Sequence, residues 1–402
     1  MSTGIPGQGF GDKYTAGPLS APPATADPVT ADSVPSSSAP SAVEAFEVFA
    51  NPAPLPLAQR EAALADLNFG TQFTDHMARV QWRSGTGWLD RRVEAYGPLS
   101  LDPAAAVLHY GQEIFEGLKA YRWADGSVWV FRPEANAARF NKSAQRLALP
   151  QLNVDDFIGS IEALVRTDLE WVPDADESSL YLRPFMFASE AFLGVRPANQ
   201  VDYLLIASPV GPYFTGGVKP VSIWVAQGYH RAGPGGTGDA KCGGNYAASL
   251  LPQMQAAENG CQQVLFLDAK EDRYLDELGG MNVFVVRRDG TVETPRLTGT
   301  ILEGITRSSV ITQLEDSGRK VLEKDITLDE VRSGIESGDV VEVFACGTAA
   351  VVTPVGRLAS PDFDVTINGG VAGDVTMAIR AALTDIQYGR AADTYGWMRR
   401  VA

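Results

Sequence analysis

The stretch GPGGTGDAKCGGNYAASLLPQ, from Gly233 to Gln253, surrounds a single lysine with glycine. Four glycines lie in the segment before Lys241, and Gly243 and Gly244 follow it. Glycine destabilises a regular element that it interrupts, so this density indicates a loop whose backbone approaches another group closely. Two ligands would explain such a loop. One is the pyrophosphate of a dinucleotide, and the other is a flat cofactor bonded to Lys241 itself.

The composition of the 402-residue chain limits its class and its partners. Its length allows two domains, and a hydrophobic content of 45% is typical of a globular protein. A net charge of −16 argues against nucleic acid or an anionic membrane as a partner, and no apolar run is long enough to span a bilayer. The few cysteines predict a cytoplasmic, reducing compartment, and the scattered histidines predict no metal site.

Breaker residues divide the chain into segments. Residues 1–41, rich in Pro, Ser, Ala and Thr, predict a disordered tail. The cluster GPYFTGGVKP predicts an interdomain loop at 211–219. We therefore expect a small N-terminal α/β domain at 42–210 and a large C-terminal domain at 220–402. Because hairpins and helices are mixed in each half, the predicted fold class is α/β of mixed (α+β) topology.

Local patterns predict one hairpin and two helices around the candidate residues. A hairpin over 121–131 turns at Asp125–Gly126. A helix occupies 133–150, with Pro133 in its first turn. After the glycine stretch we expect one helix from about Asn245 to Glu258, bent at Pro252.

The glycine stretch also fits a dinucleotide site. Gly233, Gly235 and Gly238 match G-x-G-x-x-G between a predicted strand and a predicted helix, and Asp268 follows the next strand, where an acid would bind a ribose. This hypothesis gives an NAD(P)-dependent oxidoreductase. Pro234 inside the tight turn, the late start of the helix and the lack of regular β-α alternation argue against it. A flexible surface loop is the third interpretation.

The lysine interpretation starts from the chemistry of an amine. A lysine acts as a nucleophile only when the amine is uncharged, which burial or neighbouring positive charge favours. Tyr246 lies one helical turn beyond the glycines and could donate its hydroxyl to a cofactor ring. Taken alone, a lysine in a glycine loop is more typical of a solvated surface residue.

Eight stretches, in order, resemble the branched-chain aminotransferases of fold type IV, from about Phe69 to the C-terminus. They are FTDHM (73–77), HYGQEIFEGLKAYR (109–122), FRPEANAARFNKSAQRL (131–147), YLRPF (181–185), DAKCGGNYAASL (239–250), LDELGGMNVFVV (275–286), LEGITRSSVI (302–311) and FACGTAAVVTPVG (344–356). The resemblance implies the two-domain fold type IV architecture of the D-amino-acid aminotransferase kind. It also implies pyridoxal 5′-phosphate (PLP) in the cleft between the domains, with the larger domain binding it, and a homodimer.

The resemblance implies a role for each cofactor residue. Lys241 matches the lysine that forms the Schiff base with PLP and moves the proton between the substrate and the cofactor. Tyr246 matches the tyrosine that bonds the ring oxygen O3′. Glu277 matches the carboxylate that keeps the pyridine nitrogen protonated, which makes the ring an electron sink. From the residues alone, Glu277 beside Asp276 reads as an ordinary exposed strand residue.

Further positions match the phosphate and substrate contacts of the family. Arg139 matches the phosphate arginine, although a solvated helix face would explain it equally. Backbone amides of a helix beginning at Ile305 and Thr306 would bind the phosphate, as would Thr348. Thr348 and Ala349 would also bind the substrate α-carboxylate. The remaining expected substrate residues are Phe73, Tyr110, Phe115, Tyr181, Arg183 and, as a lid, Tyr213.

An aromatic pocket suits Leu, Ile and Val side chains, and Arg183 would pair with the side-chain carboxylate of glutamate. Core packing is the competing interpretation for each aromatic residue. Two departures stand out. Residues 350–353 lack the Cys-x-x-Cys of some relatives, and Gly280 replaces a threonine found in others.

The resemblance implies PLP-dependent transamination of Leu, Ile and Val with 2-oxoglutarate, as used in branched-chain amino-acid biosynthesis, giving branched 2-oxo acids and glutamate. D-amino-acid aminotransferase and aminodeoxychorismate lyase are alternatives within the same fold, which the stretches FTDHM and YLRPF disfavour. The NAD(P)-dependent oxidoreductase and a non-catalytic binding protein are alternatives from other classes.

Overall fold

The computed structural model describes residues 46–213 and 217–402, and their strands form two sheets. The tail predicted at 1–41 lies outside the described residues. The first sheet takes its first eight strands from the N-terminal half: β1 (Glu47–Val48), β2 (His76–Arg83), β3 (Gly87–Ala95), β4 (Glu113–Phe115), β5 (Leu118–Arg122), β6 (Val128–Phe131), β7 (Ser179–Ala188) and β8 (Gln200–Val210). The second sheet contains β9 (Val221–Val225), β10 (Gln263–Leu267), β11 (Leu275–Leu278), β12 (Asn282–Arg287), β13 (Val292–Pro295), β14 (Val321–Lys324), β15 (Val340–Gly347), β16 (Val351–Ala359) and β17 (Asp364–Thr366).

The first sheet is largely antiparallel and is closed at one edge by the C-terminus. Its strand order is β1-β3-β2-β8-β7-β5-β6-β18, where β18 is Met398–Arg400 and β4 pairs with β7. The predicted hairpin is confirmed as β5–β6, with Gly126 at φ 84° in its turn. The pairing of β18 with β6 returns the end of the chain to the first sheet.

The second sheet mixes parallel and antiparallel pairs in the order β11-β10-β9-β16-β15-β12-β13-β14, with β17 on β16. Strand β9 is parallel to both β10 and β16. A parallel pair needs a long connection. Here the connection from β9 to β10 contains the glycine stretch and Lys241, so Lys241 follows the C-terminal end of a central strand.

Helices cover the sheets. They are α1 (Leu57–Ala65), α2 (Ala106–Tyr110), α3 (Pro133–Arg146), α4 (Val154–Thr167), α5 (Gly243–Ala247), α6 (Leu250–Glu258), α7 (Ile305–Asp316), α8 (Leu328–Ser337) and α9 (Asp374–Gln387). Phe140 of α3 and Phe157 of α4 pack with Tyr203 of β8, at ring-centre distances of 5.5–6.3 Å. This aromatic cluster fixes α3 and α4 on the first sheet. The mixed α/β fold class is therefore confirmed.

Two helix predictions require correction. The helix predicted at 133–150 ends at Arg146. The single helix predicted from Asn245 to Glu258 is two helices, α5 and α6, interrupted at Ala248 and Ser249. The interruption lies one turn before Pro252, whose ring prevents a regular helix from continuing through the preceding turn. Ala248 and Ser249 keep right-handed helical backbone angles, so the chain tightens into a turn there and continues into α6.

The predicted boundary at 211–219 falls between β8 and β9, which belong to different sheets. The two-domain division stays a prediction, and β18 crosses it. Within residues 46–213 and 217–402, no helix has the length and apolar character needed to cross a membrane.

Candidate active site

Lys241 lies in the coil before α5, and its side chain contacts two aromatic rings that pack against each other, 4.9 Å apart between ring centres. Its Nζ donates a hydrogen bond to the hydroxyl of Tyr246 at 2.7 Å. The same nitrogen is 4.7 Å from the ring centre of Phe115 and 5.0 Å from that of Tyr246. The structure therefore brings together the lysine and tyrosine that the sequence pairs, and a predicted pocket residue lies against both.

Contacts from α3 and from β4 of the first sheet hold the backbone of Lys241 in place. Its amide donates to Ser143 Oγ on α3 at 2.9 Å, and its carbonyl accepts from the amide of Phe115 on β4 at 3.0 Å. The Asn245 side chain donates to the carbonyls of Thr237 and Ala240, at 2.7 and 2.9 Å, and closes the loop from inside. Loop amides and carbonyls are thus satisfied by side chains that no local pattern reveals.

Glu277 is buried, with 2% of its surface exposed, so it is not an exposed strand residue. Its Oε1 forms an ion pair with Arg231 Nη1 at 2.8 Å and accepts a hydrogen bond from the amide of Leu302 at 2.7 Å. Burial raises the pKa of Glu277 to about 7; Arg231, the Leu302 amide and Lys241 oppose the rise, and Asp276 adds to it. Glu277 is therefore a buried carboxyl group whose pKa lies near neutral pH, and the charge of Lys241 acts on it.

Arg139 is buried against a carboxylate and is not on a solvated helix face. Its Nε and Nη2 donate to the two oxygens of Glu116 at 2.7 and 2.8 Å, and its Nη1 donates to the carbonyl of Glu303 at 3.0 Å. One N–H group on each of Nη1 and Nη2 remains for a further acceptor. Burial lowers the pKa of Arg139, but Glu116, Tyr246 and Glu277 together raise it. Tyr246 and Glu277, which are both close enough to Lys241 to interact with it, therefore also act electrostatically on Arg139.

Amide groups suited to an anion gather at the start of α7. Ile305, Thr306 and Thr348 line one small cavity. The first amides of a helix have no partner within the helix and attract anions. The predicted phosphate contacts at these three positions are therefore neighbours.

Two buried cations fix the loop that contains Thr348 and Ala349. Lys119 Nζ donates to the Ala349 carbonyl at 2.8 Å. Arg380 Nη1 donates to the carbonyls of Ala350 and Val352 at 3.0 and 3.1 Å. These contacts occupy the carbonyls of Ala349, Ala350 and Val352 and so fix the backbone of this loop.

Of the predicted substrate residues, Phe115, Tyr181 and Arg183 lie together. The Arg183 guanidinium carbon is 4.8 Å from the Phe115 ring centre and 5.4 Å from that of Tyr181. Its Nη2 donates to the Tyr181 hydroxyl at 3.1 Å. An arginine held against two rings beside the lysine can receive a carboxylate and also leaves an apolar wall.

Three predicted substrate residues remain, and the contacts that the structure shows for Phe73 and Tyr110 are with residues other than Lys241. Phe73 stacks on Tyr96, 5.0 Å away. Tyr110 is 44% exposed and donates its hydroxyl hydrogen bond to the Leu193 carbonyl. Tyr213 is 45% exposed and precedes residues 214–216, which lie outside the described part of the chain. The substrate roles of these residues stay predictions.

The glycine stretch does not form a dinucleotide site. Gly238 lies against the backbone of Thr300, with no space for a Cβ, and α5 begins only at Gly243. The Asp268 carboxylate was expected to bind a ribose. It instead accepts hydrogen bonds from four backbone amides, those of Lys270, Glu271, Arg273 and Tyr274. The oxidoreductase alternative is therefore not supported.

The residues that the sequence interpretation missed are partners of the predicted ones. Arg231, Glu116 and Ser143 contact Glu277, Arg139 and Lys241 respectively. Their only sequence signal is proximity to a motif, as for Glu116 within HYGQEIFEGLKAYR. Among residues 46–213 and 217–402, no group of His, Cys, Asp and Glu side chains could hold a metal ion.

The donor set fits PLP. An amine beside a phenol, a buried carboxyl group, an arginine with unused N–H groups and a helix N-terminus suit its aldehyde, ring oxygen, pyridine nitrogen and phosphate. Gly280 lies 3.8 Å from the Tyr246 ring, measured from the Cβ that another residue would add. The Gly280 backbone therefore packs close to the ring of Tyr246.

Comparisons with known proteins agree with this chemistry. Residues 113–358 match the amino-transferase class IV family. The chain is 55% identical over 360 residues to a branched-chain-amino-acid aminotransferase of Mycolicibacterium smegmatis, covering 89% of this chain and 98% of that protein. It resembles the crystal structure of a T.th. branched-chain amino acid aminotransferase with pyridoxamine 5′-phosphate, with a TM-score of 0.67, 30% identity, and coverage of 81% of this chain and 99% of that one. The same enzyme complexed with N-(5′-phosphopyridoxyl)-L-glutamate gives a TM-score of 0.65 at 29% identity, covering 81% and 99%.

Proposed function

We propose, because this chain belongs to the branched-chain-amino-acid aminotransferases of the class IV family, that it transfers the amino group of Leu, Ile or Val to 2-oxoglutarate. The products are branched 2-oxo acids and glutamate. The observation that carries the proposal is the amine of Lys241, hydrogen-bonded to Tyr246 and within electrostatic reach of the buried Glu277. This is the set of groups that PLP chemistry requires.

PLP, when bound, supplies the electron sink that stabilises negative charge at the substrate α-carbon. The side chains of this protein do the rest. Lys241, as a free amine, would take the proton from the substrate α-carbon and deliver it to the cofactor in the first half-reaction, and would carry it in the reverse direction in the second. Tyr246 orients that amine, and ionised Glu277 holds the proton on the pyridine nitrogen. Arg139, the amides of Ile305 and Thr306, and Thr348 hold the phosphate between the predicted domains at 42–210 and 220–402.

The substrate preference follows from Phe115, Tyr181 and Arg183. The two rings form an apolar wall suited to branched side chains. The guanidinium between them pairs with the side-chain carboxylate of glutamate. One pocket therefore accepts both amino donors of the reaction.

We further propose a homodimer in the cytoplasm. Leu250, Leu251 and Met254 leave apolar surface exposed along α6, at 64%, 49% and 61% of each residue, and such a patch suits an interface. All three cysteines are free, as in a reducing compartment. Light scattering of the purified protein, with Met254→Glu as the variant, tests the dimer. A monomeric wild type would contradict it.

The reaction is tested by measuring glutamate formed from 2-oxoglutarate with Leu, Ile or Val in the presence of PLP. Lys241→Ala should lower kcat by at least about 10³-fold, since a positioned base contributes on the order of 10²–10⁴. Lys270→Ala, at an exposed lysine, is the matched control. Turnover of D-alanine but not of Leu would contradict the proposed substrates, and activity retained in Lys241→Ala would contradict the mechanism.

A further inference from the structure

Arg231 is a buried arginine at the start of the glycine stretch, and none of the roles above uses it. Its side chain is 1% exposed, and its Nη1 is 2.8 Å from Glu277 Oε1. The same nitrogen donates to the carbonyls of Gly238 and Thr300, each at 3.1 Å. Arg231 therefore connects the glycine loop, the segment before α7 and the carboxyl group of Glu277.

The charges around Glu277 require a buried cation. Glu277 and Asp276 are adjacent carboxyl groups, 2% and 4% exposed. The charged groups that act on Glu277 include Arg231, Asp276, Lys241 and Arg139, and of these cations Arg231 makes a direct ion pair with it. A buried carboxylate that loses its cation takes up a proton instead. Without Arg231, Glu277 would be neutral at physiological pH.

One ion pair and one hydrogen bond also orient the carboxylate. Arg231 and the amide of Leu302 both contact Oε1. No hydrogen bond to Oε2 comes from the described residues. The oxygen that could face a pyridine nitrogen is thus Oε2, and Arg231 fixes the rotation that presents it.

The same guanidinium fastens the loop that precedes Lys241. Gly238, whose carbonyl it holds, is three residues before Lys241 and lies directly against the Thr300 backbone. A side chain at 238 would separate these two backbone segments. The glycine at this position therefore allows one arginine to reach both carbonyls and Glu277 together.

We propose that Arg231 is a positioning residue for the cofactor: it keeps Glu277 ionised, presents Oε2 to the pyridine nitrogen and fixes the lysine loop relative to that carboxylate. The proposal rests on the proposed function, because it assumes that Glu277 contacts PLP. It assigns the first part of the glycine stretch to the carboxylate, rather than to a phosphate.

The test is a PLP titration of the cofactor-free full chain, followed by a pH titration of the visible absorption band of the loaded protein. Arg231→Met should weaken PLP binding at least about tenfold, equivalent to about 1.4 kcal/mol. It should also shift the pH profile of the band, because neutral Glu277 no longer holds the pyridine proton. Arg231→Lys keeps the charge and should retain the wild-type pH profile. Arg287→Met, which breaks a largely buried ion pair with Glu293 elsewhere in the sheet, should leave both readouts unchanged.

A double variant separates positioning from general stability. If Arg231 acts through Glu277, then adding Arg231→Met to Glu277→Gln should change the pH profile no further. Wild-type PLP affinity and pH profile in folded Arg231→Met would overturn the inference. If Arg231→Met does not fold, a shifted profile in folded Arg231→Lys would overturn it. A wild-type protein that binds no PLP would instead overturn the proposed function.

Discussion

Glu116 and Glu277 are both fully buried and both paired with an arginine, yet their carboxyl groups behave in opposite ways. Glu116 accepts two hydrogen bonds from Arg139 and one from Asn136 at 2.7 Å. Burial opposes its ionisation, but Arg139, Lys241 and Asn136 hold its pKa below the ordinary value. Glu277 has one contact from Arg231 and one backbone amide, and burial raises its pKa to about 7.

The difference shows how the number of donors and the sign of neighbouring charges separate a structural carboxylate from a reactive one. A bidentate arginine with a further amide donor compensates the burial of Glu116. The single arginine contact at Glu277 must also offset repulsion from Asp276. Glu277 is therefore left with the capacity to respond to a cation, which the protonated pyridine nitrogen would provide.

The largest effect on stability is expected at Glu116. Glu116→Gln leaves Arg139 buried without its carboxylate, and breaking a buried pair in this way costs about 3–5 kcal/mol. Urea unfolding of the cofactor-free protein at neutral pH measures this loss. Glu277→Gln is the matched comparison and should cost less than Glu116→Gln, because Arg231 keeps the carbonyls of Gly238 and Thr300 and because the pKa of the lost carboxyl group is already raised to about 7. Equal losses in the two variants would remove the contrast.

The two variants should rank in the opposite order for activity, with Glu277→Gln lowering kcat more than Glu116→Gln. Glu277→Gln cannot hold the pyridine proton, and removing one preorganised electrostatic contact lowers kcat by about 10²–10³-fold. Steady-state kinetics with leucine and saturating PLP measures the change. Glu277→Asp, which keeps the charge, should recover part of the rate. A Gln variant with wild-type kcat would show that this carboxylate has no part in the reaction.

Glu277 and Glu116 should also make the free energy of unfolding depend on pH in opposite directions. The pKa values of Glu277 and Asp276 are raised from 4.5 to about 7 and from 3.8 to about 6. The folded, cofactor-free protein therefore binds their protons more tightly than the unfolded chain, and this stabilisation is lost as pH rises from about 4 to 7. For Glu277 the loss is on the order of 3 kcal/mol.

Glu116 has the opposite sign, because its pKa is lowered: its stabilisation is present above the ordinary value of 4.5 and is lost as pH falls below it. Urea unfolding between pH 5 and 7 should give a steeper decrease for the wild type than for Glu277→Gln. Identical slopes would contradict the assignment of this titration to Glu277.

A smaller effect is expected in the glycine loop. Gly238→Ala places a methyl group against the Thr300 backbone and should destabilise the protein by about 1–3 kcal/mol. Gly244→Ala is the control, since no atom lies within 4 Å of its added Cβ. Thermal unfolding of Gly238→Ala and Gly244→Ala measures the difference in their stability. A neutral Gly238→Ala would show that the close approach of the loop to residue 300 is unnecessary.

The sequence predicted the features that depend on local patterns. The β5–β6 hairpin followed from Asp125–Gly126, and the helix expected to begin at Ile305 is α7. The roles of Lys241 and Tyr246 followed from the family resemblance, and the structure joins them by a hydrogen bond between the coil before α5 and α5 itself. The family resemblance, rather than any pattern, drew attention to Glu277.

Contacts between distant residues could not be predicted. Glu116 and Arg139 are 23 residues apart, and Lys241 and Ser143 are 98 apart, so no periodicity relates them. The break between α5 and α6 depends on where the chain yields before Pro252, and the return of β18 to the first sheet depends on the packing of the whole chain. The burial of Glu277 is likewise a tertiary effect.

The most direct test of the whole account is the visible spectrum of the protein loaded with PLP, recorded beside Lys241→Ala. We predict a visible band in the wild type that bleaches on addition of leucine and returns with 2-oxoglutarate, since the two half-reactions use the same cofactor. The Lys241→Ala protein should lack this cycle. A wild type whose band does not respond to leucine, or a Lys241→Ala variant that completes the cycle, would contradict the assignment of amino transfer to Lys241.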